Sequence, residues 1–271
     1  MVNYLDANAA THTGLAYVQN DGVVVMKVDN STDLPNGSPR NSIRISSKKS
    51  YDGGLFIFDI LNAPYGCGVW PAFWTVGPNW PNGGEIDIFE GVHLGPTNQM
   101  TLHTQVGCAT DISSAAPSAF RTASSASTVG TTDCGPSPTN GGCYFIDKSS
   151  TSYGEALNSS GGAVIAMEWT AHGVKIWNFP RGHVPRDITL QTPIPALWPQ
   201  TYLKAAWAST SCPTTKYFKQ HSITIDTTLC GDWAGATYSR AGCPGTCAEH
   251  VMTGANFANA AWKINSVSIY K

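Results

Sequence analysis

Three carboxylates crowd into the run "GGEIDIFEG", residues 83 to 91, in a chain that holds only 18 Asp and Glu among 271 residues. Six positions chosen at random would hold far fewer than one acid; here Glu85, Asp87 and Glu90 stand together. Glycines bound the run as turns do, and the Ile and Phe between the acids suit an extended chain. On a strand, Glu85 and Asp87 share one face while Ile86 and Ile88 take the other. Strict alternation would send Glu90 to the apolar side, so a β-bulge of one extra residue is expected, returning Glu90 to the acidic face. Two carboxyl groups leaning together at about 5–5.5 Å, one ionised as nucleophile and one protonated as acid, are what breaking a glycosidic bond with retention requires. The Asp between them can hydrogen-bond to the nucleophile and help set its charge. The plainer reading is a solvated outer strand face with a bulge, and an isolated E-x-D-x-x-E does not decide between the two.

The elements that must carry these acids read as strands. Runs at 22–28, 41–47, 55–61, 100–106, 163–170, 173–179, 221–229 and 264–270 join the acidic run, many alternating apolar and polar residues between turn clusters. That pattern predicts an all-β sandwich of two layers. Helical periodicity is nearly absent; "NFANAAW" (256–262) is expected to give a short helical turn. The stretch 107–160 is too long for an ordinary connection. Its three cysteines point to a disulfide-tied excursion over one end of the sandwich rather than a linker, within one domain spanning 1–271.

Composition narrows the ligand. Charged residues are 13% of the chain, with a formal net charge of −2. The basic stripe expected of a nucleic-acid binder is missing, and no apolar run is long enough for a membrane span. A neutral Ser/Thr/Asn/Gly surface, with nine Trp and ten Tyr, suits an uncharged polyhydroxyl ligand such as a glycan. Eight cysteines (Cys67, Cys108, Cys134, Cys143, Cys212, Cys230, Cys243 and Cys247), most of them in Gly/Pro/Asn/Thr loops, read as disulfides of an oxidising compartment. A metal site on Cys243 and Cys247 with His250 nearby lacks a second close pair to complete a tetrahedral set. The sequons at Asn30, Asn36 and Asn158 fit a secreted glycoprotein. The opening "MVNYLD" has neither the basic segment nor the apolar stretch of a secretory leader, so a leader has been removed or the chain is trimmed.

The segment "GCGVWPAFWTVGPNWPNGGEIDIFEGV" resembles the signature of glycoside hydrolase family 16, in the six-residue bulged form of its laminarinase branch. The likeness extends through "MTLHT", "VKIWNFPR", "LCGDWAGA", "AGCPGTC" and "NAAWKINSVSIYK", nearly the whole chain, and is nearest to the secreted fungal endo-1,3(4)-β-glucanases. It implies a β-jelly-roll sandwich of two antiparallel sheets with the glucan in a cleft on the concave face. It also implies hydrolysis of β-1,3-linked or mixed 1,3-1,4 β-glucan by a monomer without cofactor or catalytic metal. By the same resemblance Glu85 is the nucleophile, Asp87 assists it, and Glu90 is the acid/base. Trp74, Trp80 and Trp233 are expected as sugar-stacking walls, His103 as a cleft residue and Arg44 as a partner for glucose hydroxyls; Trp70 is undecided. Trp177 and Trp262 are assigned to the core, and Glu168, on another strand, takes no catalytic part. Relatives of this type usually begin with a further strand-forming segment before the equivalent of "VNYLD"; here Met1 precedes Val2 directly, which is expected to leave apolar sheet edge uncovered. A transglycosylase on the same scaffold and a lectin-like binding sandwich are the alternatives, and the intact acidic set argues against the second.

Crowding with Glu85 and Asp87 is expected to raise the pKa of the acid, and hydrogen bonds to hold that of the nucleophile down. The rate should then follow a bell against pH with its optimum on the acidic side of neutrality; a pH–rate profile on soluble β-glucan checks this.

Overall fold

The computed structural model describes residues 1–113, 115–138 and 141–271. In chain order the strands are β1 (Val2–Tyr4), β2 (Ala16–Val18), β3 (Val24–Lys27), β4 (Arg40–Ser42), β5 (Arg44–Ser46), β6 (Gly54–Asn62), β7 (Val69–Val76) and β8 (Glu85–Glu90). They continue as β9 (Gln99–His103), β10 (Ser127–Val129), β11 (Cys143–Asp147), β12 (Ala163–Thr170), β13 (Gly173–Pro180), β14 (Leu203–Ala208), β15 (Ser222–Leu229) and β16 (Ala261–Tyr270). Two seven-stranded antiparallel sheets face each other, ordered β10-β11-β9-β8-β7-β15-β5 and β14-β13-β12-β6-β16-β3-β2. β1 and β4 form a separate parallel pair. This is a jelly-roll sandwich, and the acidic strand β8 lies at the centre of its sheet.

Alternation builds the core. Phe56, Phe58 and Ile60 of β6 are fully buried and meet Phe73, Ile86 and Phe89 of the opposite sheet. Phe58 stacks on Phe73 with ring centroids 4.0 Å apart, and Trp262 packs against Phe58 and Phe89. Such contacts add about 0.5–1.5 kcal/mol each to the burial of the rings. Trp177 and Trp262 are both 1% exposed, as the sequence suggests. The Trp262 indole N–H also donates to the Asp226 carbonyl at 3.0 Å, joining the two sheets by a polar contact. Glu168 lies on β12 of the other sheet, paired with Lys175 at 3.0 Å.

Several elements differ from the sequence reading: β1, β2 and β14 are absent from the expected set, and the run at 41–47 divides into β4 and β5, which lie in different sheets. β7, between β8 and β15, is a central strand absent from the expected set; it carries Pro71, a residue that central strands ordinarily exclude. Its pairing with β8 ends at Ala72↔Glu90, so Pro71 faces no ladder partner on that side. The excursion at 107–160 is not only a covering loop: it holds a helix at Ser118–Ala126 and another at Gly154–Ser159, and adds β10 and β11 to the sheet beside β9. The helical turn expected at 256–262 is a 3-10 turn at Gly254–Phe257, and β16 begins at Ala261. Both sheets end in three-residue edge strands, β5 and β2, with Ile45, Tyr17 and Val18 exposed.

All eight cysteines are paired, as Cys67–Cys243, Cys108–Cys212, Cys134–Cys143 and Cys230–Cys247. The first two bridge 176 and 104 residues of sequence, lengths at which closing the unfolded chain lowers its entropy most. Of the sequon asparagines, Asn36 is exposed and Asn30 half-buried. The Asn158 amide instead bridges Ala63, accepting from its N–H at 2.9 Å and donating to its carbonyl at 3.0 Å. A peptide map without reduction should contain these four linked pairs and no alkylated cysteine; a different pairing or free thiols would contradict the sandwich's loop arrangement.

Candidate active site

On β8 the alternation breaks once. Towards β7, Phe89 faces Phe73 and Asp87 faces Trp74, leaving Ile88 without a partner; towards β9, Asp87 faces Thr101 and Glu90 faces Gln99. Ile88 is therefore the extra residue of a bulge. Ile86, Ile88 and Phe89 are all fully buried, while Glu85, Asp87 and Glu90 sit together on the other face. The turn ahead of the strand is tight: a Cβ at Gly83 would stand 2.3 Å from the Pro78 carbonyl oxygen, and Gly84 has φ +78°.

The carboxyl groups are screened from water, Asp87 at 2% and Glu90 at 9% exposure. Burial comes first in raising the proton affinity of each, since a charge taken out of water is costly. Glu85 is pushed up to about 8 by burial and then by Asp87, with His103 and the Trp80 indole opposing. Asp87 is likewise pushed up to about 8 by burial, with its hydrogen bond to Glu85 pulling the other way. Glu90 lies well above the usual carboxylate range, through burial and then Asp87. Glu85 is thus not held down as the sequence reading expects: burial outweighs the hydrogen bond from the Trp80 indole.

Side chains from four strands and two loops surround the acids. The Trp70 indole N–H donates to Glu90 Oε1 at 2.7 Å, and Trp233 meets Trp70 edge-on with centroids 5.9 Å apart. Trp233 rides on the 231–235 turn, which Cys230–Cys247 secures at its start, while Cys67–Cys243 ties the neighbouring loops. At the other end, Trp80 is 47% exposed on the 77–84 turn and lies 6.3 Å from His103. His103 Nε2 stands 3.3 Å from Asp87 Oδ2 and 4.0 Å from Glu85 Oε1. Along the floor, Trp74 is flanked by Arg44, whose guanidinium carbon is 4.9 Å from its ring. Arg44 Nε in turn lies 3.4 Å from Asp226 Oδ2.

Each residue singled out in the sequence, Arg44, Trp74, Trp80, His103 and Trp233, thus lies in one connected set with the three acids. Two members went unassigned. Trp70 shares a strand face with Ala72 and Trp74, a spacing that becomes readable once β7 is recognised as a strand. Asp226 alternates with the buried Ile223 and Ile225 on β15, is 3% exposed, and is pushed up to about 6 by burial, with Arg44 opposing. Among the described residues, the one grouping near enough to hold a metal is Glu85, Asp87 and His103, whose donor atoms lie within 4.8 Å of one another. These are the same atoms that carboxylate chemistry would use. Chemically the set offers a protonated carboxyl, a second carboxylate beside it, and flat aromatic walls.

A family model described as the XgeA-like catalytic GH16 domain matches residues 1–270. A probable glycosidase of Schizosaccharomyces pombe is 43% identical over 275 residues, and a probable endo-1,3(4)-β-glucanase of Aspergillus niger 39% over 283. Both alignments take in 100% of this chain, which spans 62% of the length of the first and 36% of the second. Among solved structures, laminarinase 16A of Phanerochaete chrysosporium, holding 6-O-glucosyl-laminaritriose in donor and acceptor sites, superposes with a TM-score of 0.89 at 37% identity. It is covered to 90% and this chain to 100%. An elongating GH family 16 β-1,3-glucosyltransferase superposes with a TM-score of 0.88 at 35% identity, with the same coverages.

Because the folded chain keeps protons on Glu85 and Asp87 that the unfolded chain loses near pH ~4, its stability falls as pH rises from about 4 to about 8. Asp87→Asn should therefore melt higher than the wild type at pH 7, on a scale of ~2–4 °C per kcal/mol for a domain of this size. The gain should vanish as pH approaches 4, where both forms are neutral. Calorimetry across that range checks it; a constant gain at all pH values would mean that charge burial is not its source.

Proposed function

We propose, from the premise that the chain belongs to glycoside hydrolase family 16, that it is a retaining endo-β-glucanase acting on β-1,3-linked or mixed 1,3-1,4 glucan. The observation that carries this is the bulge, which brings Glu85, Asp87 and Glu90 onto one aromatic-walled face of β8. Glu90, buried and strongly inclined to keep its proton, gives that proton to the glycosidic oxygen as the bond to the anomeric carbon breaks. Glu85 supplies the electron pair for the new bond to that carbon, forming a glycosyl ester. Glu85 gives up its own proton to solvent before it attacks, and Asp87, which still holds its proton, stands beside the resulting carboxylate. His103 Nε2, 3.3 Å from Asp87 Oδ2, orients the Asp87 carboxyl beside Glu85. Glu90, now ionised, takes a proton from the water that hydrolyses the ester. Trp74, Trp80 and Trp233 offer flat faces to pyranose C–H groups, and Arg44 offers N–H donors to hydroxyls.

The substrate class also draws support from the relatives with glucan or laminarin in their descriptions. Residues 1–271 act as one catalytic domain, monomeric, with no part in nucleic-acid or membrane binding. The chain is a secreted enzyme: four disulfides fit an oxidising compartment, and no helix among the described residues is long and apolar enough to cross a membrane. Asn36 and Asn30 are the glycan acceptors, since the Asn158 amide already holds Ala63. One observation favours a second reading: the superposing glucosyltransferase implies that the same ester can be passed to a sugar instead of water.

Glu85→Ala should abolish hydrolysis while glucan binding persists, as measured by product release and calorimetric titration. Azide added to Glu90→Ala should give a β-glycosyl azide; an α-azide would mean that the reaction inverts. Product analysis on laminarin, barley β-glucan and carboxymethylcellulose should give oligosaccharides from the first two, and lengthened chains would favour transfer.

A further inference from the structure

A bulge leaves backbone groups without ladder partners, and a buried N–H or C=O left unpaired costs about 1–3 kcal/mol. Here the groups concerned are the Glu90 N–H and the Ile88 carbonyl, which face β9 where its register jumps from Thr101 to Gln99. One side chain satisfies both. Asn98, fully buried just before β9, accepts from the Glu90 N–H through Oδ1 at 2.8 Å and donates from Nδ2 to the Ile88 carbonyl at 3.2 Å. Its primary amide thus replaces the peptide unit that β9 lacks at this point.

The amide is itself held. The Asn98 backbone N–H donates to Ser152 Oγ at 2.9 Å, and Ser152 Oγ donates to the Ser149 carbonyl at 2.8 Å. The Asn98 carbonyl accepts from the Asp147 N–H at 3.0 Å. The 147–152 segment of the disulfide-bearing excursion therefore braces the residue from behind.

We propose that Asn98 is a positioning residue that keeps Glu90 on the cleft face by clipping the bulge open. This rests on Glu90 being the acid/base. Without the clip, β8 can recover strict alternation, and a one-residue change of register sends a side chain to the opposite face. Glu90 would then turn toward the face of Ile86 and Ile88, away from the leaving oxygen and from Trp70. Misplacement by an ångström is enough to cost about 100-fold in rate.

The test uses the full chain carrying Asn98→Ala or Asn98→Asp, with two independent readouts. Hydrogen exchange of the Glu90 amide should accelerate in Asn98→Ala, while the Ile86 and Leu102 amides stay protected. kcat on laminarin oligosaccharides should fall by about 100-fold with KM little changed. A dinitrophenyl β-glucoside, whose leaving group needs no proton, should lose far less in its first step. A purely structural role would lower both substrates alike, and that result, or an unchanged Glu90 exchange rate, overturns the proposal. If Asn98→Ala does not fold, Asn98→Asp carries the test. It keeps the acceptor for the Glu90 N–H but places a negative charge beside Glu90, which should move the alkaline limb of the pH–rate profile upward. An unmoved limb overturns the proposal. If the wild type releases nothing from β-glucan, the glucanase reading fails, while the Glu90 exchange rate still decides whether Asn98 holds the bulge.

Discussion

Holding three carboxyl groups out of bulk water on one strand is the constraint around which the molecule is organised. Like charges at close range and low hydration both favour the neutral form, so the acids retain protons well above their ordinary range. The surroundings do not remove that cost but distribute it: Trp70 donates to Glu90, His103 stands against Asp87, and Arg44 meets the neighbouring Asp226. A strand with such a burden is unstable by itself, and it lies at the sheet's centre, backed by Phe89, Phe58 and Trp262.

Much of this was legible in the sequence. β12 has the boundaries that its alternation suggests, and β13 extends only to Pro180, because both run between clear turn signals. The acidic set was visible through its density in an uncharged chain, and the need for a bulge followed from parity alone. β7 was hidden, carrying Pro71, a residue that central strands ordinarily exclude, and with it went the face shared by Trp70 and Trp74. The two strands inside 107–160 were masked by the Ser, Thr and Gly around them. Asn98 gave no signal, since its importance arises from where β9 lies relative to β8, a relation that no local pattern encodes.

The two sheets are coupled where it matters for the cleft. Trp262, a core residue of the far sheet, reaches the β15 backbone at Asp226, beneath the floor that carries Arg44 and Trp74. A change in core packing at Trp262 is therefore a change beneath the surface formed by Arg44 and Trp74 as well. The same β15 face explains why Asp226, buried and short of solvent, keeps Arg44 folded over Trp74 rather than extended into water.

The disulfides are distributed unequally along the cleft. The wall at Trp233 is fastened by two covalent links, while the turn bearing Trp80 is held by hydrogen bonds and close glycine packing alone. Sequence drift therefore has different freedom at the two ends. Changes at the exposed tip around Trp80 need no change of cysteines, whereas the Trp233 loop is fixed in length by four cysteines that must alter together. Variation among descendants of such a scaffold is expected to collect at the Trp80 end, and the Trp233 end to change least.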